Sequence, residues 1–281
     1  MKRIIVPILV VAFLVTTACG ITIPRAPTPG PEVTERVEVS ASPSGETRLT
    51  LAFGAGNINL SPGAGDLLIE GTTTYNYSPL KPVITIDGDA VRIQSGEGTF
   101  HSLPGMGSLV NRWDFKLGVS PLDLTIEAGA YDGVFELGGL ALTGLTVKDG
   151  AANVELSFSE PNLVEMSILR YETGASNVTL NGLANANFST MLFKSGAGDY
   201  TLDFSGTLRR DATVSIESGL SNFILIIPEG VHAVITAEGG VTNVHTGPGW
   251  SQSENVYTQA GDGPTLTILV KTGAADVTIT R

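Results

Sequence analysis

The stretch MLFKSGAGDYTL, residues 191–202, decides the fold. Met191 and Phe193 alternate with polar neighbours before Gly196, and Tyr200 and Leu202 alternate with polar neighbours after it. Alternation with period 2 is the mark of a half-buried strand, so the stretch reads as two strand arms joined at a glycine corner. Outward from it the pattern returns as LTLAFGAGNINL (49–60), LTVKDGAANVEL (145–156), LRYETGASNVTL (169–180), VSIESGLSNFIL (214–225), ITAEGGVTNVHT (235–246) and ILVKTGAADVTI (268–279). A looser copy, LTIEAGAYDGVFEL, spans 124–137. The corner glycines are Gly54, Gly129, Gly150, Gly174, Gly196, Gly219, Gly240 and Gly273, spaced from Gly129 by 21, 24, 22, 23, 21 and 33 residues. A near-constant period means one unit per repeat, stacked on its neighbours. Separate hairpins of a sandwich or barrel would not require the same corner residues at every turn. The sequence predicts an all-β chain, a single-stranded β-solenoid (β-helix) of about 21–24-residue coils, coiling right-handed.

Three rows of residues follow from stacking. Glycine at the corner is expected to supply a positive φ without a Cβ clash. The next residue, Ala55, Ala130, Ala151, Ala175, Ala197 or Ala274, is expected to fit a tight inner bend. Three places after each glycine stand Asn57, Asp132, Asn153, Asn177, Asp199, Asn222, Asn243 and Asp276, which suit turns and can bond their copies in adjacent coils. The glycine–aspartate nonapeptide of calcium-binding β-rolls is absent, so this row reads as structural, not as a metal site. Two places before the corner lies a charged row: Glu127, Lys148, Glu172, Lys194, Glu217, Glu238 and Lys271. Stacked in chain order, these form an external ladder of mostly alternating sign, with Glu217 beside Glu238 as the one like-charge step.

The ends carry the address. Met1-Lys2-Arg3 precedes an apolar run, Ile4 to Val15, too short to span a bilayer and suited to a signal segment. Small residues then lead to Cys19, the only cysteine, although Thr16 stands where lipoprotein boxes usually carry Leu. A lone cysteine excludes a disulfide scaffold. The expectation is a signal peptide over 1–18 and lipid on Cys19, holding the chain to a bacterial membrane outside the cytoplasm. Cleavage removes Lys2 and Arg3 and no acid, moving the net charge from −12 to −14. Such a chain is repelled by anionic lipid and by nucleic acid, so acyl chains must do the anchoring. Residues 19–45, rich in Pro, Thr and Ser, read as a tether.

Residues 46–118 read as a β capping region with a hairpin turning at Asp87-Gly88, interrupted by a mobile Gly- and Ser-rich loop over 94–110. Residues 119–281 are the regular repeats. Inside them, 246–264 is an insertion carrying Trp250 and Tyr257, which either covers the last coil or touches a ligand.

These segments carry a resemblance. LTLAFGAGNINLSPGAGDLLIEGTTTYNY, KPVITIDGDAVRI, WDFKLGVSPLDLTIEAGA, the SGAGDYTL-type corners and IIPEGVHAVITAEGGVTNV look like the toast-rack family of bacterial surface and envelope proteins. They are similar to the C-terminal region of cell-wall-active antibiotic response proteins and to proposed β-solenoid adhesins. The resemblance covers 46–281 and implies an envelope-related β-solenoid. It supplies no catalytic residues.

The residues themselves offer little chemistry. His101, His232 and His245 have no zinc-type spacing, no Gly-x-Ser-x-Gly elbow exists, and GAGNINLSPGAGD (54–66) lacks the strand–loop–helix setting of a nucleotide loop. Asp203, Arg209, Arg210 and Asp211 are the nearest approach to a polysaccharide-active site, and read equally as a polar turn. The expectation is a non-enzymatic envelope lipoprotein with no cofactor and no metal, a scaffold or accessory of envelope response. The alternative is a surface adhesin that binds a glycan or protein.

Overall fold

The computed structural model describes residues 29–43, 45–96 and 109–281. The expected signal segment, Cys19, the first part of the tether and His101 lie outside them. Sixteen strands make one sheet, and among the described residues there is no α-helix. The chain is all-β.

The repeats are long strands bent at the glycine. They are β2 (Thr47–Pro62), β7 (Leu122–Glu136), the pair β8 (Leu142–Asp149) and β9 (Ala151–Ser157), β10 (Met166–Asn181), β11 (Phe188–Asp203), β12 (Ala212–Ile226), β13 (His232–Thr246) and β16 (Thr265–Thr280). In β10, Leu169, Tyr171 and Thr173 point inward, Gly174 and Ala175 both face out, and Ser176, Val178 and Leu180 point inward again. Two outward residues in succession shift the parity of the strand, and the sheet turns there. Successive repeats pair in parallel with equivalent residues opposite: Leu169 meets Leu145 and Met191, and Asn177 meets Asn153 and Asp199. The inward rows therefore stack like on like. Tyr171 lies over Phe193 with ring centroids 5.5 Å apart, and Phe193, Tyr200 and Phe223 pack together at 5.0 to 5.8 Å. Burying an aliphatic or aromatic side chain contributes about 1.5–3 kcal/mol, so these rows hold the stack together.

The corner glycines owe their place to crowding more than to backbone angle. Only Gly54 among the eight has a positive φ, at 82°. A Cβ on Gly174 would lie 2.3 Å from the Gly150 carbonyl oxygen, one on Gly196 2.5 Å from that of Gly174, and one on Gly219 2.6 Å from that of Gly196. Each glycine leaves room for the backbone of the corner beside it. The following alanines do not fill an inner bend either. They face outward, which is why Leu220 occupies the same place at 66% exposure.

The last strand is out of order. β16 pairs with β12 on one side and with β13 on the other. The like-charge step expected between Glu217 and Glu238 is therefore absent, because Lys271 lies between them. The ladder runs Glu127, Lys148, Glu172, Lys194, Glu217, Lys271, Glu238 with the sign changing at every step. Lys194 Nζ is 3.1 Å from Glu217, and Lys271 Nζ is 3.6 Å from Glu238. These side chains are about half exposed, so each pair contributes a few tenths of a kcal/mol. Lys271→Glu, which sets three acids in a row, is expected to lower the urea midpoint slightly at low salt, and the difference should vanish near 1 M salt. A deficit that persists at high salt would contradict the electrostatic origin.

The ends of the stack close with antiparallel strands. β5 (Ala90–Ser95) continues the first arm beside β2, and β6 (Asn111–Leu117) continues the second, so the two make one split repeat; most of the Gly- and Ser-rich loop expected over 94–110 lies outside the described residues. β4 (Pro82–Asp87) pairs back on β5 through a turn at Gly88-Asp89. β3 (Leu67–Tyr75) pairs with β6, and β1 (Val33–Ser40) with β3. Two sequence boundaries change accordingly. β2 is a full repeat and not merely part of a cap, and the tether expected over 19–45 gives up 33–40 to β1, where Val37 and Val39 alternate into the core. At the other end the insertion 246–264 forms β14 (Ser251–Ser253) and β15 (Val256–Gln259), and β15 covers the first arm of β13.

Candidate functional site: a trough along the glycine corner

The outer side of the corner is concave. A cavity of about 710 Å³ is floored by Ala55, Ala130, Ala151, Ala175 and Ala197 and edged by Asn57, Asp132, Asn153 and Asn177. Those four polar residues also edge a second cavity of about 720 Å³ on the second arm, which reaches Asp199 and Asn222. A third, about 480 Å³, carries the line on to Asn243, Ala274 and Asp276. The three form one trough crossing eight strand rows, roughly 34 Å at ~4.8 Å per row.

Its rim is a ladder of amides and carboxylates. Asn153 Nδ2 donates to Asp132 Oδ1 at 2.9 Å, and Asn177 Nδ2 donates to Asn153 Oδ1 at 3.1 Å. Asn222 Nδ2 donates to Asp199 at 2.7 Å and Asn243 Nδ2 to Asp276 at 2.9 Å. No two acids are neighbours in the row: Asp276 falls between Asn222 and Asn243. Amides thus spend one donor on the ladder and keep their remaining capacity for the trough. Arg112 is the one cation among the described residues that line the trough, and it lies 3.4 Å from Asp114.

Beneath the floor the inward positions beside the corner are polar, which the reading of the sequence missed. Asp149 accepts hydrogen bonds from Tyr131 at 3.2 Å, Tyr171 at 3.0 Å, Ser176 at 3.3 Å and from the Thr173 hydroxyl. Burial, reinforced by the Asp149 charge, pushes the Tyr131 phenol well above its usual range, and burial does the same to Tyr171. Both phenols stay protonated donors. The seam continues as Ser195 donating to Ser218 at 2.8 Å and a Ser218–Ser221 bond of 2.7 Å. Its signal was present in the corner tetrads DGAA, TGAS and SGLS, whose first residue points inward once the parity shift is recognised. At the β6 end Asn111, 4% exposed, donates to the Ala55 carbonyl at 2.8 Å, while its Oδ1 has no donor. A fixed seam under a small-residue floor makes the trough preformed.

The other candidates lie elsewhere. Tyr257 is buried on β15 and accepts from Gln252 at 3.2 Å; Trp250 packs half-buried against the core. Neither presents an open ring, because the last inward row needs covering. Asp203 accepts from Ser205, Arg210 reaches Asn187 and Glu165, and Asp211 accepts from the Thr265 amide at 2.7 Å. These residues close turns instead of converging on a point. His232 and His245 sit on β13, in register with Thr265 and Thr278.

The comparisons agree with this architecture. Residues 28–168 match the family model for the N-terminal domain of toast_rack, DUF2154. The solved structure of a proposed cell adhesion protein from Clostridium sporogenes is 20% identical, with 89% of this chain and 99% of that one covered at a TM-score of 0.50. That of a proposed adhesin from Bacteroides fragilis is 14% identical, with 89% and 97% covered at 0.51. At these identities the likeness is one of fold. No curated protein matches the chain.

Proposed function

The chain belongs to the toast-rack family, and from that membership we propose a non-enzymatic, adhesin-like β-solenoid, carried outside the cytoplasm on a lipidated Cys19, whose trough binds an extended neutral glycan. The trough carries the reading: a preformed channel rimmed by amides and acids at one polar group per strand row. A regular polar rim suits a polymer whose monomer rise is near the strand spacing. Acids along the rim and a scarcity of cations disfavour anionic polymers, while exposed Val134, Leu220 and Ile224 offer apolar contact to sugar ring faces. The names of the two similar structures support an adhesive role.

The test uses the chain without residues 1–18, incubated with insoluble neutral polysaccharides. Retention is expected, and Ala175→Trp, which fills the floor, should reduce it at least tenfold. Thr213→Trp, on the outer face of the first arm, should leave it unchanged. Failure to bind any neutral glycan, or binding indifferent to Ala175→Trp, would sink the proposal. In cells, Cys19→Ser should move the protein out of the membrane fraction.

A further inference from the structure

β4 is a free edge strand among the described residues, and after Pro82 its apolar middle, Val83 to Ile86, carries no guarding residue. It pairs with β5 alone, and among the described residues its other edge meets no strand. Ile84 and Ile86 stand opposite Ile93 and Val91 and so share their face. Ile93 and Val91 are buried, yet Ile84 is 40% and Ile86 62% exposed, and Val83 on the other face is 46% exposed. The apolar face thus runs one strand further than the core that should cover it. Folded chains protect such edges with charge, bulges or covering segments. The outer strands at other points follow that rule: β1 carries Glu35, Arg36 and Glu38, and β14 is three polar residues. β4 has no charge between its ends and no bulge.

Its sequence, with the residue before it, is K-P-V-I-T-I-D, Lys81 to Asp87. Charges of opposite sign stand at the two ends of an apolar run, so the segment is complementary to itself when turned end for end. We propose that β4 pairs antiparallel with β4 of a second copy about a two-fold axis at Ile84, joining two stacks through one continuous sheet. In that register Lys81, which is held by Glu35 of its own chain at 2.9 Å, also faces Asp87 of the second copy at both ends, and Ile86 faces Pro82. A parallel pairing would set Lys81 against Lys81. The interface is isologous and closed, as two-fold pairing requires, so it yields dimers and not filaments. Six residues of edge bury less than the ~1,000 Å² of a stable interface, so the dimer is weak and concentration-dependent. No residue of β4 lines the trough, whose near end reaches Leu80.

Sedimentation equilibrium of the chain lacking residues 1–18 and carrying Cys19→Ser tests it. A monomer–dimer equilibrium is expected, and Ile86→Lys should abolish the dimer with the circular dichroism spectrum unchanged. Lys81→Asp should weaken association about tenfold, and adding Asp87→Lys should restore it. A chain that stays monomeric up to about 500 µM, a dimer that survives Ile86→Lys, or a double exchange that restores nothing would each overturn the pairing.

Discussion

Deleting residues 265–281 is expected to undo more than the repeat it removes. The strand lost is not at the end of the stack but inside it, between β12 and β13. Leu266, Ile268, Val270, Val277 and Ile279 are all buried, and at about 1.5–3 kcal/mol each their loss is on the order of 10 kcal/mol. That is comparable with the whole stability of a typical domain. The arm covered by β15 then has nothing to dock on, because β13 meets β12 only through β16. Limited proteolysis with mass spectrometry should find cleavage spread over residues from about 228 onward, while a core over 47–226 resists. Protection of 232–246 in the truncated chain would show that β13 can pair directly with β12, and the inserted strand would lose its structural importance.

Gly174→Val is expected to cost far more than Ala175→Val, although the residues are neighbours and both are exposed. The Gly174 Cβ position is 2.3 Å from the Gly150 carbonyl oxygen, and that oxygen accepts the Ala175 amide at 2.9 Å. Backbone must move against backbone, so the strain cannot be relieved by a rotamer. Overpacking of this kind costs about 1–3 kcal/mol. At about 2 °C per kcal/mol for a chain of this size, that is a fall in Tm of roughly 2–6 °C. Ala175 points into the trough, and a valine there should shift Tm by no more than about 1–2 °C. Equal losses from the two variants, read by differential scanning calorimetry, would refute the carbonyl contact as the reason for glycine.

The strands, corner rows and all-β class were legible because each depends on local alternation repeated many times. Met191, Phe193, Tyr200 and Leu202 announce their own faces. The order of stacking was not legible, since Gly240 and Gly273 sit in equivalent repeats and nothing local says which lies beside Gly219. That choice is made by contacts between residues about 50 apart, such as Val214 with Ile268. The reason for glycine was misjudged for the same cause: the obstruction comes from the neighbouring repeat and not from the residue's own backbone. Of the trough, the amide row was visible but its concavity was not. The Asp149 seam hid behind the parity shift, which turns an acid beside the corner inward.

The alternating row of Glu and Lys has a meaning beyond the small energy of its pairs. Eight near-copies in one chain make an ambiguous text, in which many wrong adjacencies bury similar apolar rows. One sign per repeat, from Glu127 onward, works as a parity check on that text. Placing β13 directly on β12 sets Glu217 against Glu238, and skipping one repeat anywhere from β7 onward sets like beside like. The order with the last-written strand inserted reads without an error, whereas stacking in chain order does not. The charges therefore act less as a glue than as spelling, disfavouring the chain-order and skipped arrangements that hydrophobic burial alone would leave nearly equal.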